Sequence, residues 1–152
     1  MQQHWALAYL ERSYDRDGVG PDSFNCWTFF QAVQREVFDR TVPDIPYVGI
    51  LSNVHAFGSH AELNNWPEVD TPEDGDAVLL GGRTRPMHIG VWAATPDHND
   101  GRVLHCDDGV GVVAQVVGDL DRRGWQVNAY RRYAYNRPPG SLPMIVNDGR
   151  TV

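Results

Sequence analysis

The sequence contains no lysine, so arginine supplies all thirteen of its basic side chains. Twenty aspartates and glutamates outnumber them and leave the 152-residue chain with a formal net charge of −7. Proteins that bind nucleic acid present a broad basic surface to the phosphate backbone. Because this acidic chain lacks such a surface, we expect no nucleic acid among its partners.

Long apolar runs are also missing. A membrane-spanning helix needs about 20 consecutive, mostly apolar residues, and no segment of the sequence provides them. The first residues, Met1–Glu11, lack the basic start, the apolar stretch and the small-residue cleavage site of a signal peptide. We therefore expect neither a membrane span nor a secretory leader.

Cysteine is scarce as well, with only Cys26 and Cys106 in the chain. Small domains that depend on disulfides contain several cysteine pairs, so a disulfide framework is excluded. The rest of the composition is typical of a folded domain, because 41% of the residues are hydrophobic and 22% are charged. We therefore expect one globular core and interpret each cysteine from its neighbours.

Helical patterns dominate the first part of the chain. Residues 3–13 are rich in helix-forming residues with a broad apolar face, and residues 49–64 show a less regular pattern that Gly58 interrupts. Glycines and a proline after the first pattern make residues 14–23 a loop. These segments predict a first helix, a loop and a later helix, in addition to the helix that begins at Cys26.

The helix that begins at Cys26 is the most regular of these. From Cys26 to Arg40 apolar residues recur at spacings of three and four, which aligns them along one stripe. Asn25 and Ser23 are the candidate N-caps, and either would place the Cys26 thiol in the first turn. The helix dipole and the free backbone N–H groups of that turn favour the thiolate. Cys26 is therefore a candidate nucleophile, although its place on the apolar stripe also fits a buried, inert thiol.

The second half of the chain changes from helical to strand patterns. Short runs rich in valine, isoleucine, leucine and aromatic residues are separated by turn-forming residues and lie at 76–80, 87–93, 102–107, 110–117 and 125–133. Helices followed by strands indicate an α+β fold, with N-terminal helices packed on one face of an antiparallel sheet of about five strands. Residues 137–152, which begin with a proline-rich turn, are interpreted as a C-terminal extension of a domain over residues 1–136.

Two histidines lie on neighbouring predicted strands. Strand alternation puts His88, Gly90 and Trp92 on one face, and a glycine there indicates close approach by another backbone, such as the start of the Cys26 helix. In that arrangement His88 accepts the thiol proton, and His105 on the next strand holds the His88 ring in one tautomer. A strand histidine without a chemical role is the alternative for each.

The residues around His105 allow two interpretations. Alternation turns Cys106 away from the face of His105, which favours a packed thiol over a second nucleophile. The run 105–108 also contains aspartates and could bind a metal, but it lacks the paired spacing of zinc motifs. A separate basic group is expected on a solvated face, with contact to an anionic partner as the alternative; its members are Arg122, Arg123, Arg131 and Arg132.

A cysteine at the head of a helix, followed by two histidines on later strands, resembles the NlpC-type cell-wall peptidases, a papain-like α+β family. Cys-Trp-Thr at 26–28 resembles the nucleophile segment in the form seen in phage tail proteins, and Tyr14 matches the tyrosine that helps to bind the oxyanion. Asn25 stands where the family has aspartate. The turn into the sheet and the two histidine strands are matched by 72–78, 88–92 and 103–105, so that the resemblance covers roughly residues 5–134.

The resemblance implies hydrolysis of an amide bond in peptidoglycan stem peptides, often next to D-glutamate. The Cys26 thiolate would attack the carbonyl carbon, with His88 as general base and then general acid and His105 as the residue that orients it. The backbone N–H of Cys26 and the Tyr14 hydroxyl would bind the oxyanion. Such an enzyme needs no cofactor and no metal.

The expected setting is a phage tail, in which the chain would be a tail-tip or tail-assembly component. The protein would then be found in the virion tail, or in the host cytoplasm before assembly, with peptidoglycan peptides as substrate and other tail-tip proteins as further candidate partners. The alternative function is a catalytically silent structural or adaptor tail protein on the same fold. An intracellular amidase, toxin or transferase on this scaffold is a third possibility.

Overall fold

A computed structural model describes residues 4–44, 61–82, 86–95 and 100–134. The described residues include one α-helix, α1, which spans Cys26–Phe38. Short 3-10 helices span Trp5–Ala8, Ala61–Asn65 and Val117–Arg123. The strands are β1 (Ser13–Tyr14), β2 (Ser23–Phe24), β3 (Glu68–Val69), β4 (Ala77–Gly81), β5 (Pro86–Ala94), β6 (Gly101–Asp107), β7 (Gly111–Gln115) and β8 (Gln126–Arg131).

Six of these strands form one antiparallel sheet in the order β3-β8-β4-β5-β6-β7. Helix α1 packs against β5 and β6 in the middle of the sheet. The α+β arrangement is therefore confirmed, and the five predicted strands are β4 to β8. The sixth strand, β3, has only two residues and pairs with β8 at the edge, so it was too short to leave a sequence pattern.

Alternate residues of the sheet contribute to two hydrophobic cores on its opposite faces. The helix-side core lies between α1 and the sheet and includes Ile89 and Val91 of β5. The outer core lies on the other face, where Val103 packs with Leu120 of the third 3-10 helix and with Trp92. The predicted alternation along β5 is thus confirmed, since Trp92 faces away from its odd-numbered neighbours.

The helix expected over residues 3–13 is wrong over most of its length, because the described part is helical only at Trp5–Ala8 and has 3-10 geometry. The chain then pairs with β7. The Glu11 N–H donates to the Val112 carbonyl at 3.1 Å, and the Val112 N–H donates to the Arg12 carbonyl at 2.8 Å. Glu11 also has a φ of 70°, which ends helical geometry. Backbone pairing with a distant strand has therefore replaced the local helical preference.

The other segment predictions have mixed outcomes. Most of the helix expected over 49–64 lies outside the described residues, and its last part forms the 3-10 helix Ala61–Asn65. The extension 137–152 also lies outside them. The ends of the expected loop 14–23 are instead strand residues, since the β1–β2 pair places Tyr14 opposite Phe24.

Candidate active site

The start of α1 is held by a reciprocal cap. The Asn25 side-chain oxygen accepts from the Thr28 N–H at 2.9 Å, and the Thr28 hydroxyl oxygen accepts from the Asn25 N–H at 3.0 Å. The preceding loop is bound to the same cap, because the Asn25 Nδ2 donates to the Arg16 carbonyl at 3.0 Å. The predicted N-cap is confirmed. An aspartate in this position would cap the helix but could not donate to Arg16, so asparagine suits this loop.

Desolvation opposes ionisation of the Cys26 thiol. Burial raises its pKa to about 11, and the nearby Asp107 carboxylate acts in the same direction. Hydrogen bonds from the backbone at Ile89, Cys26 and Trp27 lower the pKa but do not compensate for the burial. The expectation that the helix start keeps this thiol ionised is therefore wrong, because desolvation of the thiolate exceeds the stabilisation by N–H groups.

The backbone hydrogen bond from Ile89 to the sulfur is possible because the paired register of β5 and β6 does not extend back beyond Val91, and we call this end of the ladder the opening. The Trp92 N–H donates to the Asp76 carbonyl, on the β4 side, so the odd-numbered residues of β5 turn their N–H groups toward β6. The paired register of β5 and β6 begins with Val91 opposite Leu104. Ile89 lies just before that pair, and its N–H acts on the Cys26 sulfur instead of on a strand partner.

Gly90 lies at the same opening. A Cβ atom added to Gly90 would lie 2.9 Å from the Leu104 carbonyl oxygen and 3.2 Å from the His105 Cβ, so a larger residue would collide with β6. The predicted close approach is confirmed, but the neighbour is β6 and not the Cys26 helix. Since α1 packs on the face of Ile89, the thiol and the His88 ring approach the opening from opposite faces of the sheet.

His88 and His105 form a hydrogen-bonded pair, and the Gln115 amide oxygen beside it indicates how its protons are arranged. The His88 Nε2 lies 2.8 Å from the His105 Nδ1, and the His105 Nε2 lies 2.7 Å from the Gln115 Oε1. An amide oxygen only accepts, so His105 carries its proton on Nε2, and its Nδ1 accepts from the His88 Nε2–H. The Nδ1 of neutral His88 therefore keeps a free lone pair, which is the state that a general base requires.

Burial favours the neutral form of both imidazoles. Burial lowers the pKa of His88 to about 3, and the neighbouring His105 acts in the same direction, whereas Asp107 opposes it. Burial also lowers the pKa of His105, although its hydrogen bond to Gln115 raises it. Burial thus favours a neutral thiol and two neutral imidazoles over a thiolate–imidazolium ion pair in the resting site.

Tyr14 lies close to the start of α1, because β1 pairs with β2 immediately before the helix. Burial raises the pKa of its hydroxyl, and the Cys26 thiol is the next-largest influence. Of the predicted site residues, Tyr14 and Cys26 thus act on each other, and His88 and His105 are hydrogen-bonded. Among the described residues, no hydrogen bond or ring contact joins Cys26 to His88; the N–H that acts on the sulfur belongs to Ile89, the next residue in the chain. The catalytic roles of all four remain predictions.

A group that sequence reasoning missed surrounds the His88 ring. The Trp125 ring stacks on His88 with 4.5 Å between centroids and 14° between planes. The Trp125 Nε1–H donates to Asp107 at 3.2 Å, and the Arg123 Nε–H donates to the same carboxylate oxygen at 2.6 Å. Gln115, at the end of β7, completes the set as the acceptor for His105. No local pattern connects these positions, which come from separate elements of the chain.

The expected solvated face of arginines is confirmed for Arg122 and Arg123, which are exposed, whereas Arg131 and Arg132 are half-buried. Arg123 pairs with Asp107, whose side chain is 9% exposed, and Arg132 pairs with Asp76, whose side chain is 2% exposed. A buried carboxylate needs such a partner, because an uncompensated charge in the interior is strongly destabilising. These arginines therefore stabilise the interior next to β6 and β4.

Cys106 is a packed thiol, as predicted. Its side chain faces the helix-side core and its thiol donates to the Phe24 carbonyl at 3.3 Å, while burial raises its pKa to about 12. His105 points to the opposite face, so the run 105–108 does not converge on one point. Across residues 4–44, 61–82, 86–95 and 100–134, no group of three or more histidine, cysteine, aspartate or glutamate side chains could hold a metal ion.

A cavity of about 700 Å³ lies at the far end of β5, lined in part by Asp74, Trp92 and Tyr130. Trp92 is separated from His88 by about 13 Å along the strand, at the usual rise of about 3.3 Å per residue. A smaller cavity of about 270 Å³ is lined in part by Trp125, the residue that stacks on His88. The smaller cavity is therefore connected to His88 through the Trp125 ring, although neither histidine lines it.

The raised thiol pKa predicts slow alkylation of Cys26 at neutral pH. A thiol with a pKa of about 11 is ionised to about one part in 10⁴ at pH 7, whereas an unperturbed cysteine is ionised to a few per cent. We expect iodoacetamide to modify Cys26 at least about 10-fold more slowly in the native chain than in the denatured chain, with a rate that rises up to about pH 11. Mass spectrometry of the two cysteine peptides measures the rates, with Cys106 as the buried reference. A fast rate that is constant over about pH 5–8 would instead indicate a preformed thiolate.

Comparison with known proteins leaves the site to be interpreted from its own geometry. No protein-family model and no curated protein shows a significant match to this chain. Within the described part of the chain, no helix is both long enough and apolar enough to cross a membrane. The function is therefore inferred from the residues at the opening between β5 and β6, together with the sequence resemblance.

Proposed function

We propose that this chain is a cysteine peptidase of the NlpC type, with the papain-like fold of that family, which hydrolyses an amide bond in peptidoglycan stem peptides. The observation that carries the proposal is the hydrogen-bonded series Gln115–His105–His88. It leaves the His88 Nδ1 unprotonated next to the Ile89 peptide, whose N–H acts on the Cys26 sulfur. A base and the residue that orients it are thus hydrogen-bonded on one face of the sheet, and the candidate nucleophile, Cys26, lies on the other face at the Ile89 N–H.

In the proposed reaction, proton transfer accompanies attack because thiol and imidazole are both neutral beforehand. The Cys26 sulfur forms a bond to the carbonyl carbon while its proton moves through a bridging water molecule to the His88 Nδ1, because the thiol and the ring lie on opposite faces of the sheet. The backbone N–H of Cys26 and the Tyr14 hydroxyl donate to the oxyanion. Imidazolium then gives its proton to the leaving nitrogen as the C–N bond breaks, and a thioester remains on Cys26. Water, deprotonated by His88, hydrolyses the thioester and restores the thiol.

The substrate class and the setting rest on the sequence resemblance. Cys-Trp-Thr at 26–28 has the form seen in phage tail proteins, and the family cleaves stem peptides, often next to D-glutamate. We therefore propose an enzyme of the tail tip or of tail assembly, located in the virion tail or in the host cytoplasm before assembly. Other tail-tip proteins are its proposed partners.

A second candidate function is a catalytically silent structural or adaptor protein on the same fold. It is favoured by one observation, the raised pKa of the Cys26 thiol, because a nucleophile is usually activated by a lowered pKa. The peptidase and the adaptor differ in whether the Cys26 thiol loses its proton and attacks a bound substrate. Only the enzyme would release new amine groups from cell-wall peptides.

The test is incubation of the full chain with purified peptidoglycan sacculi and with isolated stem peptides under reducing conditions. We expect new amine termini to accumulate with time, and mass spectrometry of the products identifies the cleaved bond. If no amine is released from either substrate between about pH 6 and 9, the range in which cysteine peptidases with a histidine base operate, the peptidase is contradicted and the adaptor is favoured.

A further inference from the structure

Trp125 is held in place by the turn that precedes β8. The 3-10 helix Val117–Arg123 ends at Gly124, whose φ of 83° is the left-handed conformation that glycine adopts without strain. The Trp125 N–H then donates to the Leu120 carbonyl at 3.1 Å. Because Leu120 is 1% exposed and belongs to the outer core, the backbone at Trp125 is connected to a rigid part of the fold.

The His88 ring is restrained on two sides. Trp125 covers one ring face in a nearly parallel stack, and His105 meets the ring at an angle of 83° with 5.0 Å between centroids. A partial rotation of the imidazole about its Cβ–Cγ bond would lose the stack, and a half-turn, which keeps the ring plane, would lose the hydrogen bond to His105. Trp125 therefore holds the ring in the plane in which the Nε2–H reaches His105.

Asp107 is the carboxylate that acts on the His88 ring. Hydrogen bonds from Arg123 and Trp125 keep the pKa of the Asp107 carboxyl below its ordinary value, although burial acts in the opposite direction, so it is ionised at neutral pH. The charged and titratable groups that act on His88 from the packed elements are His105 and Asp107 of β6 and Arg123 of the 3-10 helix. Of these, only the Asp107 carboxylate favours a positive charge on His88.

We propose that Trp125, Asp107 and Arg123 form a clamp that positions the His88 imidazole and stabilises the imidazolium formed during turnover. Trp125 holds the plane of the ring, Asp107 holds the indole N–H and supplies the negative charge, and Arg123 keeps the buried carboxylate in place. All three are positioning residues, since they act through His88. The kinetic part of this inference rests on the proposed peptidase function, whereas the orientation of the ring does not.

Replacing both charged residues of the clamp, Asp107 and Arg123, is expected to have a smaller effect than replacing Asp107 alone. Loss of the Asp107 charge alone leaves the Arg123 cation beside His88, where it opposes protonation of the imidazole. Removal of both charges eliminates that repulsion. We therefore expect the double variant D107N/R123Q to be closer to wild type than D107N, which a purely structural role of the ion pair would not produce.

Ring orientation is tested first by nitrogen-15 NMR of the histidine rings in the full chain at neutral pH. We expect His88 to exist as the Nε2–H tautomer alone in wild type and in W125F, which preserves an aromatic stack. In W125A the ring is free to rotate, so we expect signals of both tautomers. A single Nε2–H tautomer in W125A, with its fold verified by thermal unfolding, would overturn the role of Trp125.

Hydrolysis of stem peptides provides the second test. We expect D107N to lower kcat/KM by about 10-fold to 10²-fold, the size of effect that misplacement of a catalytic group produces, and D107N/R123Q to recover at least about half of the loss on a logarithmic scale. D100N is the matched control, because Asp100 forms an exposed pair with Arg102 at 3.0 Å near the start of β6, away from His88. We expect D100N to retain kcat/KM within about 2-fold, because exposed pairs contribute little.

The two tests separate failure of the clamp from failure of the proposed function. If the wild-type chain hydrolyses nothing, the proposed function fails, and the NMR comparison of W125A with W125F still decides whether the clamp orients the ring. If hydrolysis occurs but D107N/R123Q is no more active than D107N, the electrostatic role of the clamp is overturned.

Discussion

Replacement of Cys26 by alanine is expected to lower kcat for hydrolysis of stem peptides by at least about 10⁴-fold, the range observed when the nucleophile of a protease is removed. Without the sulfur no thioester forms, and the neutral His88 has no thiol to deprotonate. Release of new amine termini from peptidoglycan at fixed enzyme concentration measures the loss.

Cys106 offers a matched control for that experiment. Its side chain is also a thiol, but it is 0% exposed and packs in the helix-side core. We expect C106A to retain kcat within about 3-fold while lowering the free energy of unfolding by about 1 kcal/mol, through the small cavity left by the sulfur. If hydrolysis by C26A equals that of the wild type, Cys26 is not the nucleophile and the proposed mechanism is wrong.

The next-largest effect is expected at His88. Asparagine there approximates the shape of the ring but cannot accept the thiol proton, so we expect H88N to lower kcat by about 10³-fold, within the range that general acid–base catalysis contributes. Q115L removes the acceptor that determines the tautomer of His105, so we expect a smaller loss of about 10-fold, because His105 then acts only part of the time as an acceptor. Steady-state kinetics on one stem peptide measure both variants.

His4 provides the control for a histidine outside the site. Its Nε2 lies 2.8 Å from the Ala94 carbonyl, at the other end of β5 from His88. We expect H4N to retain kcat within about 3-fold of wild type, since it alters neither the base nor its orientation. Loss of the same size in H4N and H88N would indicate that stability, and not proton transfer, explains the effect.

Local sequence patterns were sufficient to predict the elements that carry the candidate site. Helix α1 begins after Asn25 because capping depends on residues that are close in sequence, here Asn25 and Thr28. The positions of β4 to β8 followed from short apolar runs separated by turns. Alternation along a strand correctly placed Cys106 on the face opposite to His105, since that relation is a property of the strand alone.

The sequence by itself thus determined that a thiol heads a helix and that two histidines lie on the strands of an antiparallel sheet. Only the tertiary structure decided how these groups are surrounded. Gln115, Asp107 and Trp125 reach the histidine pair through strand register and through the turn before β8, which no local pattern encodes. The thiol pKa was also decided there: the helix start is a local feature that lowers it, whereas burial against the sheet is a property of the whole fold and raises it further.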